Sequence, residues 1–457
     1  MRYEKLSEKI QEMEAEIIKA VQESVAINSV RGEETKNAPY GEGPKAALDH
    51  ALALGEKLGF RTKNVGNRVG WIEYGEGEEM VAVLGHLDVV PLGQGWTYPP
   101  LGGEIHEGVL YGRGVADDKG PTIGAFYALK AIRDLGLPLE RRIRVIFGTD
   151  EENGSSCVKY YKEQGEETPV AGFTPDAEYP CIFCEKGMSR FRLGKKTVNV
   201  GNGKVLSFQG GTAANVVTPK CTLLVEGTLE VPEMPGLTVT GEEGRTTILA
   251  EGRSAHGSTP QLGENAAVKL LEAVQGVNFG GDFQQIADFI LEMLGRETNG
   301  KTLGIYYQDD QTGETTVNLG VVQYSPEGME LSLDIRYPKN GSAKEVEEKV
   351  REAAQKYQLE VLECETTPML YMPIESDLIQ KLMCVYHEIT GREEQPLAIG
   401  GGTYAKAFPN MVAFGPAFPG DPETVHQPNE CIPVKTLMES LKLTGAAMWE
   451  LAGSDQK

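Results

Sequence analysis

Long apolar runs are missing from this chain. None approaches the roughly 18 residues that a transmembrane helix requires. The N-terminal stretch "MRYEKLSEKIQEMEAEIIKAVQESVAI" has no signal-peptide h-region, and its apolar residues recur at helical spacing. Positive charge is also short. Forty-four Lys and Arg stand against 67 Asp and Glu, a formal net charge of −23, which repels nucleic acid and anionic membrane alike. Cysteine is sparse, odd in number and scattered: seven residues, suited to a reducing cytosol rather than a disulfide framework. Cys181 and Cys184 form a CxxC in "YPCIFCEKG", but with no second pair to complete a zinc knuckle they read as incidental residues of a buried strand. Internal repeats and low-complexity linkers are absent. These absences lead us to expect a cytoplasmic protein with neither nucleic acid nor membrane as partner.

What is present is an ordinary globular composition, 40% hydrophobic and 24% charged over 457 residues, long enough for two or three domains. The first 180 residues alternate helix and strand patterns. Helices are expected over Ser7–Ile27, Pro44–Leu58 and Lys119–Leu135, and strands over Arg68–Tyr74, Met80–Leu84 and Arg142–Phe147, with a hairpin near Gly103–Tyr111. From Lys186 to about Pro368 short strands and Gly-rich turns dominate, interrupted by helical patterns at Asn265–Val274, Phe283–Leu294 and Ala343–Tyr357. The helix–strand rhythm then returns, with a helix at Ser376–Thr390, a strand near Met411–Phe414 and a last helix from Val434 to Leu451. The expected fold class is α/β: a mostly parallel-sheet catalytic domain with helices on both faces, formed by residues 1–185 and 369–457, with an inserted α+β lid domain at 186–368.

The segment "VAVLGHLDVVPLG" ends an apolar run with His86 and Asp88, neither of which belongs in a core. Alone, His-x-Asp decides nothing. Partners occur in "YGRGVADDKGP" with Asp117 and Asp118, "FGTDEENGS" with Glu151 and Glu152, "FTPDAEYP" with Asp176 and "ETVHQPNE" with His426. Functional groups of open α/β sheets gather beyond the carboxyl ends of strands, where His86, Glu151 and Glu152 are expected. Two histidines, two aspartates and a glutamate, with one glutamate to spare, suit a paired zinc site, because zinc takes imidazole nitrogen and carboxylate oxygen and one carboxylate can bridge two ions. Asp88 can accept the second ring N–H of His86 and so set its tautomer. Neighbouring side chains on an extended segment point opposite ways, so one of Glu151 and Glu152 can bind metal while the other takes a proton from water. His50, His106 and His387 lack acidic neighbours at ligand spacing and read as structural.

These motifs, with "GRSAHGSTPQLGENAA", "DIRYP" and "GGGTYA", resemble over essentially the full length the dinuclear zinc peptidase family that includes PepV-type bacterial dipeptidases, carnosinases, succinyl-diaminopimelate desuccinylase, aminoacylase and carboxypeptidase G. The resemblance implies that His86, Asp117 and Asp176 hold one ion, and that Glu152, His426 and the bridging Asp117 hold the other. It makes Glu151 the general base and Asp88 the partner of His86, and it implies a cis bond between Asp117 and Asp118. In the inserted domain, His256 is the histidine implied to stabilise the oxyanion. Asn215, Arg336, Gly401 and Thr403 are implied to bind substrate. Asp rather than Glu at position 176 accompanies dipeptidase and aminopeptidase activity in that family. Lys406 stands where relatives often carry Arg, a departure bearing on specificity rather than chemistry.

The expectation is a metal-dependent dipeptidase using two Zn2+ per chain, with Mn2+ or Co2+ as substitutes, acting on dipeptides with a free amino terminus. The enlarged lid implies a monomer that needs no residue from a second subunit. The alternatives are an N-acyl-amino-acid deacylase with the same metal site and, from another class, a non-catalytic metal-stabilised binding protein, which would be expected to lack the base or a ligand.

Overall fold

The apolar run before His86 becomes the strand Met80–His86, buried at every residue, around which the first of two units forms in the computed structural model; the structure describes residues 2–453. This unit comprises Met1–Cys184, Leu370–Ala398 and Gly402–Lys457; the second comprises Glu185–Met369 with Ile399–Gly401.

The main sheet of the first unit runs in the order Arg61–Val65, Val69–Tyr74, Arg142–Gly148, Met80–His86, Ala171–Thr174, Met411–Ala413, Ile182–Glu185, Leu370–Tyr371. Its four central strands are parallel. A strand flanked by two parallel neighbours is covered on both faces, which is why it reads as a continuous apolar run instead of an alternating one. Side chains still alternate along Arg142–Gly148, which lies between Met80–His86 (parallel) and Val69–Tyr74 (antiparallel). Phe147 meets Phe126 of the helix Lys119–Asp134 on one face, with ring centroids 5.3 Å apart. On the other face, a Cβ added to Gly148 would lie 2.1 Å from the Tyr404 hydroxyl and 2.7 Å from Cys157 Sγ, a residue of the helix Ser156–Glu163. Helices therefore occupy both faces of a largely parallel sheet, and the fold is mixed α/β.

Parallel alignment also sets the site. His86 lies opposite Gly148 in register, so the turn after Arg142–Gly148, which carries Glu151 and Glu152, leaves the sheet beside the end of Met80–His86. The strand Ala171–Thr174, which lacks a distinctive pattern in the sequence, pairs in parallel with Met80–His86 and brings Asp176 to the same edge. Gly85 precedes His86 because a Cβ there would lie 1.9 Å from Thr122 Oγ1 and 2.6 Å from Asp118 Oδ2. Gly85→Ala should therefore overpack this junction and lower stability by about 1–3 kcal/mol. Urea denaturation at constant m-value is the check, and an unchanged midpoint would show that the junction yields freely.

The second unit is an eight-stranded antiparallel sheet in the order Leu237–Glu242, Arg245–Glu251, Lys220–Glu226, Val205–Gly210, Thr316–Ser325, Gly328–Tyr337, Gly187–Lys195, Glu360–Thr367. Its apolar residues form one core with the helices Ala266–Ala273, Gly281–Phe289 and Ala343–Lys356. The segment Ile399–Gly401 joins this unit: the Lys186 amide donates to the Ile399 carbonyl (3.2 Å) and Arg336 Nη1 to that of Gly400 (2.9 Å).

Two expected helices are interrupted. The N-terminal pattern is broken at Met13 into Glu4–Glu12 and Glu14–Val25, and Phe283–Leu294 passes from α-helix to a π-helical turn at Ile290. Apolar periodicity survives a single-residue break, so the sequence pattern does not register it. No described helix is long and apolar enough to cross a membrane.

Candidate metal centre

His86 is fully buried at the end of its strand. Its Nδ1 lies 3.0 Å from the backbone carbonyl of Asp88, which fixes Nδ1–H as the donor and leaves the Nε2 lone pair free to bind a metal. Nε2 lies 2.9 Å from Asp117 Oδ1 and 3.8 Å from Asp176 Oδ2. The tautomer expected from His-x-Asp is thus held by the Asp88 main chain, whereas the carboxylate stands back at 3.6 Å. That carboxylate serves the neighbouring turn instead, where Oδ1 accepts the amide of Glu151 and Oδ2 that of Glu152, both at 3.1 Å. Asp88 therefore ties the histidine strand to the Glu-Glu turn, a contact that its spacing from His86 does not reveal.

Asp117 presents one oxygen to each histidine. Oδ1 faces His86, and Oδ2 lies 2.9 Å from His426 Nε2, which in turn lies 3.1 Å from Glu152 Oε1. His426 has a left-handed backbone, φ 63°, which turns its ring toward the two carboxylates. The distances fall into two sets sharing Asp117: His86 with Asp176, and His426 with Glu152. Ligand atoms of His86, Asp117 and Glu152 lie within 4.8 Å of one another, and so do those of His86, Glu151 and Asp176. Glu151 and Glu152 thus serve different groups. They do so because residues 151–154 form a turn, not because an extended segment alternates. The Asp117–Asp118 bond is cis. Asp118, with no role in the expectations above, points away from Asp117: its Oδ2 accepts the His86 amide (3.1 Å) and the Thr122 hydroxyl (2.7 Å).

The electrostatics of this patch are those of crowded anions. Burial, and next the Asp117 carboxylate, push Asp176 up to about 7. Burial and then Asp176 raise Glu151 well above the usual carboxylate range. Hydrogen bonds to Asp117 and Glu152 raise half-exposed His426 to about 10. Burial alone would lower His86, yet the hydrogen bond to Asp117, with the Asp176 and Asp88 carboxylates close by, holds it high. Buried carboxylates persist when paired or metal-bound. Two dications with neutral imidazoles would balance the four carboxylates of Asp117, Glu151, Glu152 and Asp176. The donor set, imidazole nitrogen and carboxylate oxygen without thiolate, fits zinc, manganese or cobalt. Beside Asp117 and Asp176 opens a cavity of about 130 Å³ walled mainly by Ala177, Pro416, Ala417, Val425 and Ile432.

In the second unit, His256 Nδ1 accepts from the Ser258 amide at 3.3 Å and lies 2.6 Å from its hydroxyl. Neutral His256 therefore carries its proton on Nε2, available for donation, and burial and then Arg336 lower its pKa. Asn215 accepts the Gly257 amide through its carbonyl, 2.7 Å. Arg336 is buried with its fork on Asp334 (2.8 and 3.3 Å). Gly401 belongs to this unit. Thr403, in the first unit, uses its hydroxyl to cap the turn Tyr404–Ala407.

Comparison with known proteins gives the family. The family model described as "Peptidase family M20/M25/M40" matches residues 82–450. The chain is 37% identical over 455 residues to "Putative dipeptidase YtjP" of Bacillus subtilis, covering 96% of this chain and 97% of that protein. It is 33% identical to "Putative dipeptidase SAUSA300_1697" of Staphylococcus aureus, covering 97% and 98%. Among solved structures it resembles human carnosine dipeptidase 1 (TM-score 0.60, 16% identity, 99% of both chains) and the dipeptidase Dug1p of Saccharomyces cerevisiae (TM-score 0.64, 12% identity, 99% of both chains). At these identities the structures speak to the fold, and the sequence matches to the family. With six acidic and imidazole side chains gathered at the carboxyl edge of a parallel sheet, and a family match across most of the chain, this protein belongs to peptidase family M20/M25/M40.

Proposed function

We propose that the chain is a metal-dependent dipeptidase that hydrolyses dipeptides with a free amino terminus. The observation that carries this reading is Asp117, whose two oxygens face two different histidines while Glu151 stands in the same cluster, outside the His426 set. Full-length relatives named as dipeptidases support the substrate class. Two ions, zinc in this proposal, would be held by His86, Asp117 and Asp176 and by Asp117, Glu152 and His426. When bound they supply Lewis acidity to the scissile carbonyl and to water. Glu151 would take a proton from the attacking water and pass it to the leaving amine. The Nε2–H of His256 suits a developing oxyanion. Arg336, braced by Asp334, suits the substrate carboxylate through its remaining N–H groups. The apolar cavity beside Asp117 and Asp176 suits the side chain of the amino-terminal residue. A cytoplasmic monomer completes the proposal, supported by the seven free cysteines and by a second unit that carries its own His256 and Arg336.

Chelator-stripped protein should be inactive and regain activity with Zn2+, Mn2+ or Co2+. With each metal, a peptide panel should show dipeptides cleaved and tetrapeptides and N-acetylated dipeptides left largely intact. Rapid release of single residues from long peptides would point to a general aminopeptidase. Preferred cleavage of N-acetyl amino acids would point to a deacylase.

A further inference from the structure

We propose that Glu430 is the positioning residue of the shared carboxylate: it fixes the main chain at Asp117 while His426, four residues earlier on the same loop, meets the Asp117 side chain. The inference rests on the dimetal reading above. Glu430 is fully buried. Its Oε1 accepts three main-chain amides, from Gly114 (3.0 Å), Ala116 (3.1 Å) and Asp117 itself (3.2 Å). Its Oε2 accepts from Arg113 Nη1 at 2.7 Å, and its own carbonyl accepts the Gly112 amide at 3.0 Å.

The segment 112–117 has no regular secondary structure, so neither helix nor sheet satisfies these buried amides, and a buried unpaired amide is costly. The segment can curl about one anion because Gly114 has φ +91°, and successive N–H groups aimed inward make an anion-binding concavity. The occupant is a side chain of this protein.

The anion is itself anchored from three directions. Arg113 is buried, with its guanidinium 5.2 Å from the centre of the Trp96 ring. Asn429 Oδ1 accepts the Thr97 amide at 2.6 Å. Beyond Glu430, the strand Cys431–Pro433 pairs with Val109–Tyr111, immediately before the curled segment. The loop 426–430 therefore grips Asp117 twice, by carboxylate and by amide. A shared ligand tolerates little displacement, because productive site geometry is held to within about 0.5 Å and a shift of Asp117 alters both ions at once.

The test uses the full chain with Co2+ as probe, reading the visible absorption spectrum and the dissociation constant of each ion by chelator competition, with thermal unfolding of the metal-free protein alongside. Glu430→Gln keeps the shape but sets an amide N–H2 against Arg113. It should weaken both ions by about 10- to 100-fold, change the cobalt spectrum, and lower kcat on dipeptides with KM little altered. Leu331→Ala, in the core of the second unit, should lower thermal stability and leave the spectrum unchanged. Should Glu430→Gln fail to fold, Glu430→Asp, which keeps the charge but withdraws it from the three amides, carries the same expectation. A folded variant whose two affinities and spectrum match the wild type would overturn the role of Glu430 while leaving the dimetal reading standing. Wild-type protein that takes up no ion would overturn that reading itself, and this inference with it.

Discussion

Glu151→Gln should retain both ions and lose at least about 10²–10⁴-fold in turnover, the range that general acid–base catalysis contributes. The side chain lies with His86 and Asp176, while its main chain is pinned through the Asp88 carboxylate, so glutamine should occupy the same position. What the variant lacks is a group that can take a proton from water and return it to an amine. Burial raises the Glu151 carboxyl, the direction that makes a carboxylate a better base. Metal content and kcat measured on one preparation decide the matter. Near-wild-type turnover with both ions bound would remove Glu151 from the mechanism, and loss of an ion with activity would make it a ligand instead.

Asp117→Asn should cost more than one ligand's share. Aspartate faces His86 with one oxygen and His426 with the other; asparagine keeps one oxygen, and its N–H2 cannot ligate. Bound metal should fall from two ions per chain to at most one. Lewis-acid stabilisation by an ion is worth several kcal/mol, so kcat/KM should fall on the order of 10²–10⁴-fold. The check is metal stoichiometry after equilibration with Zn2+, beside dipeptide kinetics. Two ions retained at wild-type affinity would show that Asp117 does not bridge.

These predictions concern residues whose chemistry was legible before any fold was known. His86 and Asp88 end an apolar run, and the run is the central strand Met80–His86. Most helices and strands followed from period, because a side chain's face depends on the local geometry of its own segment. The helix at Lys119–Asp134 and the short strands of the second unit are of this kind. Glu151 beside Glu152 also announced two roles, although a turn separates them rather than strand alternation.

Other features had no local mark. Ala171–Thr174 is four residues long, too short for a periodic pattern, yet it delivers Asp176. The Asp88 carboxylate reads from spacing as the partner of His86, but in the fold it holds the amides of Glu151 and Glu152, 63 and 64 positions away. Glu430 stood in plain view in "VHQPNE", and its amide partners lie more than 300 residues back.

The amino-acid sequence by itself determined the inventory: which side chains can bind a metal or move a proton, and most of the helices and strands. Only the tertiary structure decided which oxygen meets which nitrogen. Those pairings depend on strand order, register and the path of irregular loops, all of which are set by packing between distant segments. Local periodicity carries no information about them.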